Sequence, residues 1–202
     1  MYDLVDLRQN LMYSYFKTSI HGMEYKMPKK KIKINRAPVL TLWATVVAER
    51  LGHDQNESLT FGKAVAGLNA QSKGRRLGIY EEKKDEDKSN EKREERPAKL
   101  EFIEILGRGV PAVKTAQGLR AAIKGEQIDP QSVQKYLKQK FGDELDEARA
   151  AMEILAKAYA PKQLAAEAYS LYEKFRPKIP EGTKGWGVKG ELDLDYIRSL
   201  AK

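Results

Sequence analysis

No cysteine occurs anywhere in the 202 residues, which excludes disulfides, thiolate nucleophiles and cysteine metal ligands. That composition suits a reducing compartment, and a cytoplasmic location is expected. Histidine is almost as scarce. His21 and His53 have no spaced partner for zinc, and no Ser-His-Asp order can be assembled around them. No apolar run approaches the ~18 residues a membrane span needs. The first 26 residues also lack the marks of a secretion signal, because Asp3 and Asp6 stand where positive charge belongs and no continuous apolar stretch follows.

The most informative absence is local. Residues 81–96 contain no apolar side chain, only eight acids, six bases, a serine and an asparagine. A segment with nothing to bury cannot offset its ordering entropy, so residues 81–97 are expected to form a charged, solvated linker, with a helical stalk as the alternative. Two lobes result, a helical hairpin at 37–80 and an α+β lobe at 98–202. Charge divides unevenly between them. Residues 1–80 carry a net +7 and residues 98–202 a net +3, within a chain of net +8.

What is present begins with a basic stretch. Residues 1–26 read as an N-terminal extension, with an extra terminal helix or strand as the alternative, and Met27-Pro28-Lys29-Lys30-Lys31 reads as a protein start. Residues 27–36 read as a flexible basic arm carrying Lys29, Lys30, Lys31, Lys33 and Arg36 without an acid. Pro38 follows at a tolerated first-turn position, then Val39, Leu42, Trp43, Val46 and Val47 at helical spacing up to Gly52. A polar turn, His53 to Asn56, leads to a second helix over about 57–73. Lys73, Arg75 and Arg76 stand at its end, where cations complement the helix dipole.

Beyond the linker the pattern changes to short extended runs separated by Gly107-Arg108-Gly109 and Ala116-Gln117-Gly118. This spacing predicts a small antiparallel meander, with Pro111 marking an edge strand. Asp129-Pro130 then opens a helical series, aspartate as N-cap and proline in the first turn. Further helices follow over 143–159 and from Pro161, and a last short one is capped near Asp193 or Asp195. The fold class is mainly α with a small antiparallel β meander.

Motifs that suggest chemistry fail on context. Ala48 and Gly52 fit a helix-turn-helix, but the apolar position falls on Ser58 unless the turn is one residue longer to reach Leu59. A packed hairpin explains the same residues. Gly107 to Ala112 matches G-x-G-x-x-A without the helix that should follow. The glycines at 182, 185, 187 and 190 lack the Gly-Lys-Ser/Thr step of a phosphate loop. Asp143, Glu144, Asp146 and Glu147 occupy a helix start, where the dipole favours acids.

Two stretches, RAPVLTLWATVVAERLG with LTFGKAVAGLNAQSKG after it and the tail GWGVKGELDLDYIRSL, resemble an uncharacterised bacterial protein family in which both occur together. The resemblance covers most of residues 35–202 and supports Met27 as a start. It implies no activity and no functional residue.

Taken together, the residues favour a non-enzymatic, nucleic-acid-associated or regulatory protein with no cofactor or metal. Phosphate contacts would come from Lys29, Lys30, Lys31, Lys33, Arg36, Lys73, Arg75 and Arg76. The alternative is a protein-interaction or assembly module. In that case Leu42, Trp43, Val46, Val47, Phe61 and Val65 offer more apolar surface than two helices hide between themselves, and a partner or second copy would cover it.

Overall fold

All eleven residues of 38–48 are buried, Thr41 and Thr45 among them. A helix apolar on every side belongs inside a structure, not on its surface. In the computed structural model, which describes residues 31–76, 100–123, 125–181 and 187–201, helix α1 (Arg36–Arg50) is that inner element. The expected extension at 1–26 and linker at 81–97 lie outside the described residues.

Helix α2 (Gln55–Arg76) packs back along α1 after a short turn. Gly62 is the contact point: a Cβ there would lie 2.3 Å from Thr45 Oγ1 and 2.4 Å from the carbonyl oxygen of Thr41. Only glycine allows that approach. Both threonine hydroxyls donate back to carbonyls one turn earlier, Thr41 to Ala37 and Thr45 to Thr41, each at 2.9 Å. They are therefore buried without an unpaired donor. The helix expected over about 57–73 continues to Arg76, with Gly74 a buried position inside it.

The meander is β2 (Glu101–Ile105), β3 (Arg108–Thr115), β4 (Gly118–Ile123) and β5 (Glu126–Gln127), antiparallel and in sequence order. Leu106 and Gly107 both have positive φ, as a two-residue hairpin turn of the primed type requires. Pro111 corrects one expectation, since its strand β3 lies inside the sheet between β2 and β4. The β3–β4 register nevertheless begins at Ala112 opposite Ala121, one residue later. Lacking an N–H, Pro111 ends that ladder, so the edge is local rather than a property of the strand.

Strand β4 has N–H groups that the two-residue β5 does not reach. Helix α2 takes them, with Glu57 Oε1 accepting from Leu119 at 2.8 Å and Thr60 Oγ1 from Ala121 at 3.1 Å. Gly118, at φ +101°, leaves room for the Glu57 carboxylate. The sheet is thus fixed to the hairpin by hydrogen bonds as well as by Val110, Ala112 and Ala121 in the core.

Three helices close the core around α1. Helix α3 (Pro130–Phe141) is capped by Asp129, which accepts from the N–H groups of Gln131 and Ser132. Helices α4 (Leu145–Lys157) and α5 (Pro161–Phe175) follow. Trp43 reaches α5, donating its indole N–H to the Ala168 carbonyl at 2.8 Å and meeting the Phe175 ring edge-on. Tyr172 donates its hydroxyl to the carbonyl of Arg36 at 3.3 Å. One contiguous core joins residues from before and after 81–97.

Residues expected to form a flexible arm are, from Lys31, a strand. β1 (Lys31–Ile34) pairs antiparallel with β6 (Gly190–Asp193), and helix α6 (Leu194–Ser199) follows β6, capped by Asp193. Ile32, Ile34 and Leu192 turn inward while Lys31 and Lys33 turn out. Gly190 lies so close to Lys178 that a Cβ would sit 2.6 Å from its carbonyl oxygen. Among the described residues no helix is long and apolar enough to cross a membrane.

Gly62→Ala should be destabilised by about 2–3 kcal/mol, since backbone as well as side chain must give way, and thermal melts should show a fall of roughly 5–10 °C. Burial pushes the Tyr172 hydroxyl well above the ordinary tyrosine range. Its contribution is therefore fully present below about pH 10 and is lost as the pH rises, because the unfolded chain ionises first. Tyr172→Phe should lose Tm less steeply than the parent between pH 9.5 and 11 in melts at stepped pH.

Candidate nucleic-acid interface

The expected phosphate-binding residues do not share one role. Lys29 and Lys30 lie outside the described residues. Lys31 stands opposite Asp193, and its Nζ contacts Glu191 Oε2 at 2.7 Å; Lys33 stands opposite Glu191. The Glu191 hydrogen bond holds the Lys31 ammonium above its usual range, and the same bond holds Glu191 below the usual carboxylate range. Arg36 donates through Nε to the Pro177 carbonyl at 3.2 Å. From Lys31 onward, then, the basic stretch faces acids on β6 or is engaged in holding the first turn of α1.

Lys73, Arg75 and Arg76 occupy the last turn of α2 and are exposed. Because α1 and α2 are antiparallel, this turn lies at the end of the hairpin where α1 begins. The two basic clusters are thus brought to one end of the hairpin, and among the described residues no carboxylate pairs with Lys73 or Arg76.

The structure adds further cations to the hairpin's neighbourhood. Helix α3 packs beside α2. Lys63, midway along α2, places its Nζ 3.9 Å from the centre of the Tyr136 ring on α3, and Lys140 Nζ lies 5.9 Å from the same centre. Burial, and secondarily the Lys140 charge, lowers the Lys63 ammonium below its usual range; burial raises the Tyr136 hydroxyl. Cation–π attraction offsets part of the cost of placing two like charges around one ring. The signal was legible as composition. Residues 58–76 and α3 contain no acid, and together they carry Lys63, Lys73, Arg75, Arg76, Lys135, Lys138 and Lys140.

Elsewhere three arginines are tied to acids. Arg149 on α4 joins Glu49 and Glu153, Arg176 pairs with Glu173, and Arg198 pairs with Asp195 and Glu147. Among the described residues, by contrast, no carboxylate pairs with Lys63, Lys73, Arg76, Lys135, Lys138 or Lys140.

The helix-turn-helix reading is excluded by burial. A recognition helix must present its leading residues to a groove. Here residues 58–62 at the leading end of α2 are buried, between α1 on one side and β4 on the other. Gly107 to Ala112 forms a hairpin turn and strand rather than a dinucleotide loop. Of the glycine loop, residues 182–186 lie outside the described residues. Asp146 and Glu147 lie in the first turn of α4, and Asp143 and Glu144 in the short 3-10 turn before it. No group of three or more metal-ligating side chains is assembled among the described residues.

A cleft of about 400 Å³ lies among β6, α5 and α6, lined by Lys31, Lys174, Arg176, Lys178, Glu191, Asp193, Asp195 and Tyr196. Charges of both signs meet there, and Lys31, Glu191, Arg176 and Asp195 are engaged in the ion pairs already described. A second cleft of about 280 Å³ separates α1 from α4 beside Glu49, Arg50, Glu153 and Lys157.

No family model, no curated protein and no solved structure matches the chain. That outcome agrees with the resemblance to a family without assigned function.

Removing the Lys140 charge should shift the Lys63 titration upward toward its ordinary range, because one of the two causes of the depression is gone. Titration of Lys63 Cε by NMR in Lys140→Gln checks this; an unmoved or lower midpoint would show the two ammonium groups to be independent.

Proposed function

We propose that the chain is a cytoplasmic, non-enzymatic nucleic-acid-associated protein that contacts phosphate through α2 and α3. The observation that supports this reading is the adjacency of two acid-free helical stretches, whose lysines find no carboxylate partner among the described residues. A protein gains nothing in stability from gathering like charges, whereas a polyanion compensates all of them at once by counterion release. With six phosphate contacts, affinity should fall about a thousandfold between 50 and 200 mM salt.

The apolar surface that motivated an assembly module is used inside this chain. Leu42, Trp43, Val46, Val47, Phe61 and Val65 are all 0–2% exposed. A protein-interaction reading rests instead on another surface, the outer strand β2 and the residue before it, where Phe102 is 70% and Leu100 45% exposed. Light scattering at micromolar concentration tests self-association through that strand; a monomer in both the parent and Phe102→Ser would argue against it.

Fluorescence anisotropy with a random-sequence duplex at stepped salt tests the leading proposal. Lys135→Glu with Lys138→Glu should weaken binding by more than tenfold. Lys31→Gln with Lys33→Gln should change it little, since those ammonium groups already face Glu191 and Asp193. No binding at 20 mM salt would sink the proposal, and the reverse order of the two double variants would return the interface to the arm.

A further inference from the structure

Proteins that hold single strands combine a basic groove with aromatic faces open to stack bases. Among the described residues, the α2–α3 surface has the charge without the platform. Its aromatic residue, Tyr136, is half-buried, and the Lys63 ammonium lies 3.9 Å from the centre of its ring. Tyr169 is likewise approached by a cation, Arg108, at 5.9 Å. Among the described residues the large exposed aromatics are elsewhere, Phe102 on the outer strand β2 and Tyr196 at the cleft beside β6.

Resting on the nucleic-acid reading above, we infer that this surface binds the phosphate backbone of duplex nucleic acid without reading bases, and that a backbone phosphate seats at Lys63 and Lys140 beside the Tyr136 ring. The two ammonium groups share one ring and lack a carboxylate partner among the described residues, so an anion between them relieves their mutual repulsion. The depressed Lys63 ammonium has the same origin and is restored by the same anion. A duplex presents twice the linear charge density of one strand and releases more counterions per contact, with salt slopes near 0.9 against 0.7 per phosphate. With six contacts that difference is about tenfold in affinity at 0.1 M salt, and among the described residues this surface offers no open aromatic face to offset it.

The full chain is titrated by anisotropy against two duplexes of unrelated sequence and against oligo-dT of equal length, at four salt concentrations. Expected are equal affinities for the two duplexes and a tenfold weaker one for the single strand. Lys63→Gln and Lys140→Gln should each lower the duplex salt slope by about one and the affinity at 0.1 M by about eightfold, while Phe102→Ala leaves both unchanged. Lys140 is solvent-exposed, so Lys140→Gln decides the matter if Lys63→Gln does not fold. Single strands bound as tightly as duplex, a loss in Phe102→Ala, a sequence preference above tenfold, or a wild-type slope in Lys140→Gln would each overturn the inference. Failure of the parent protein to bind either form at 20 mM salt would instead overturn the nucleic-acid reading on which it rests.

Discussion

The close approach of α1 and α2 at Gly62 is the constraint on which the remaining structure depends. With no side chain between them, the backbone of α2 rests on Thr41 and Thr45, and the two helices act as one slab. α1 is thereby enclosed on one side and leaves its other faces for α3, α4, α5 and β2. A bulkier residue at position 62 would move α2 outward and, with it, the Glu57 and Thr60 groups that hold the outer edge of β4. Sheet, hairpin and helical layer are therefore positioned by one contact between small residues.

Electrostatics are arranged around that slab with little symmetry. On α4, α5 and α6, arginines lie within ion-pair distance of acids on the same or neighbouring helices. On α3, and on α2 beyond Glu57, no acid intervenes, and Lys63 and Lys140 share the Tyr136 ring. Partly exposed pairs such as Arg176 with Glu173 contribute little to stability, but they cancel the outward field of that side. Among the described residues, positive charge is in this way displayed on α2 and α3 more than a residue count suggests.

Local signals in the sequence held where a residue's own chemistry decides its conformation. Asp129-Pro130 starts α3, Pro161 starts α5, and the Gly107 and Gly118 turns set the meander, because caps, proline and left-handed glycines act within a few residues. Pro111 had the right local effect and the wrong strand, since a missing N–H ends one ladder without exposing the whole strand. The alternation of lysine and isoleucine over 31–34 has the period of a strand, but its charge suggested an arm. Its partner, β6, lies far along the chain, and nothing nearby in sequence reports the pairing.

The sequence by itself determined the fold class, most helix starts, the turns of the meander and the excess of positive charge. These depend on propensity, capping and composition, which are properties of short segments. Only the tertiary structure decided that α1 is buried on every side, that the leading end of α2 is covered by β4, that Lys31 and Lys33 face Glu191 and Asp193, and that Lys63 meets Tyr136 and Lys140. Each of these brings together residues distant in the chain, and which of many apolar or charged partners meet is settled by packing around a shared core, where volume and hydrogen bonds must be satisfied at once.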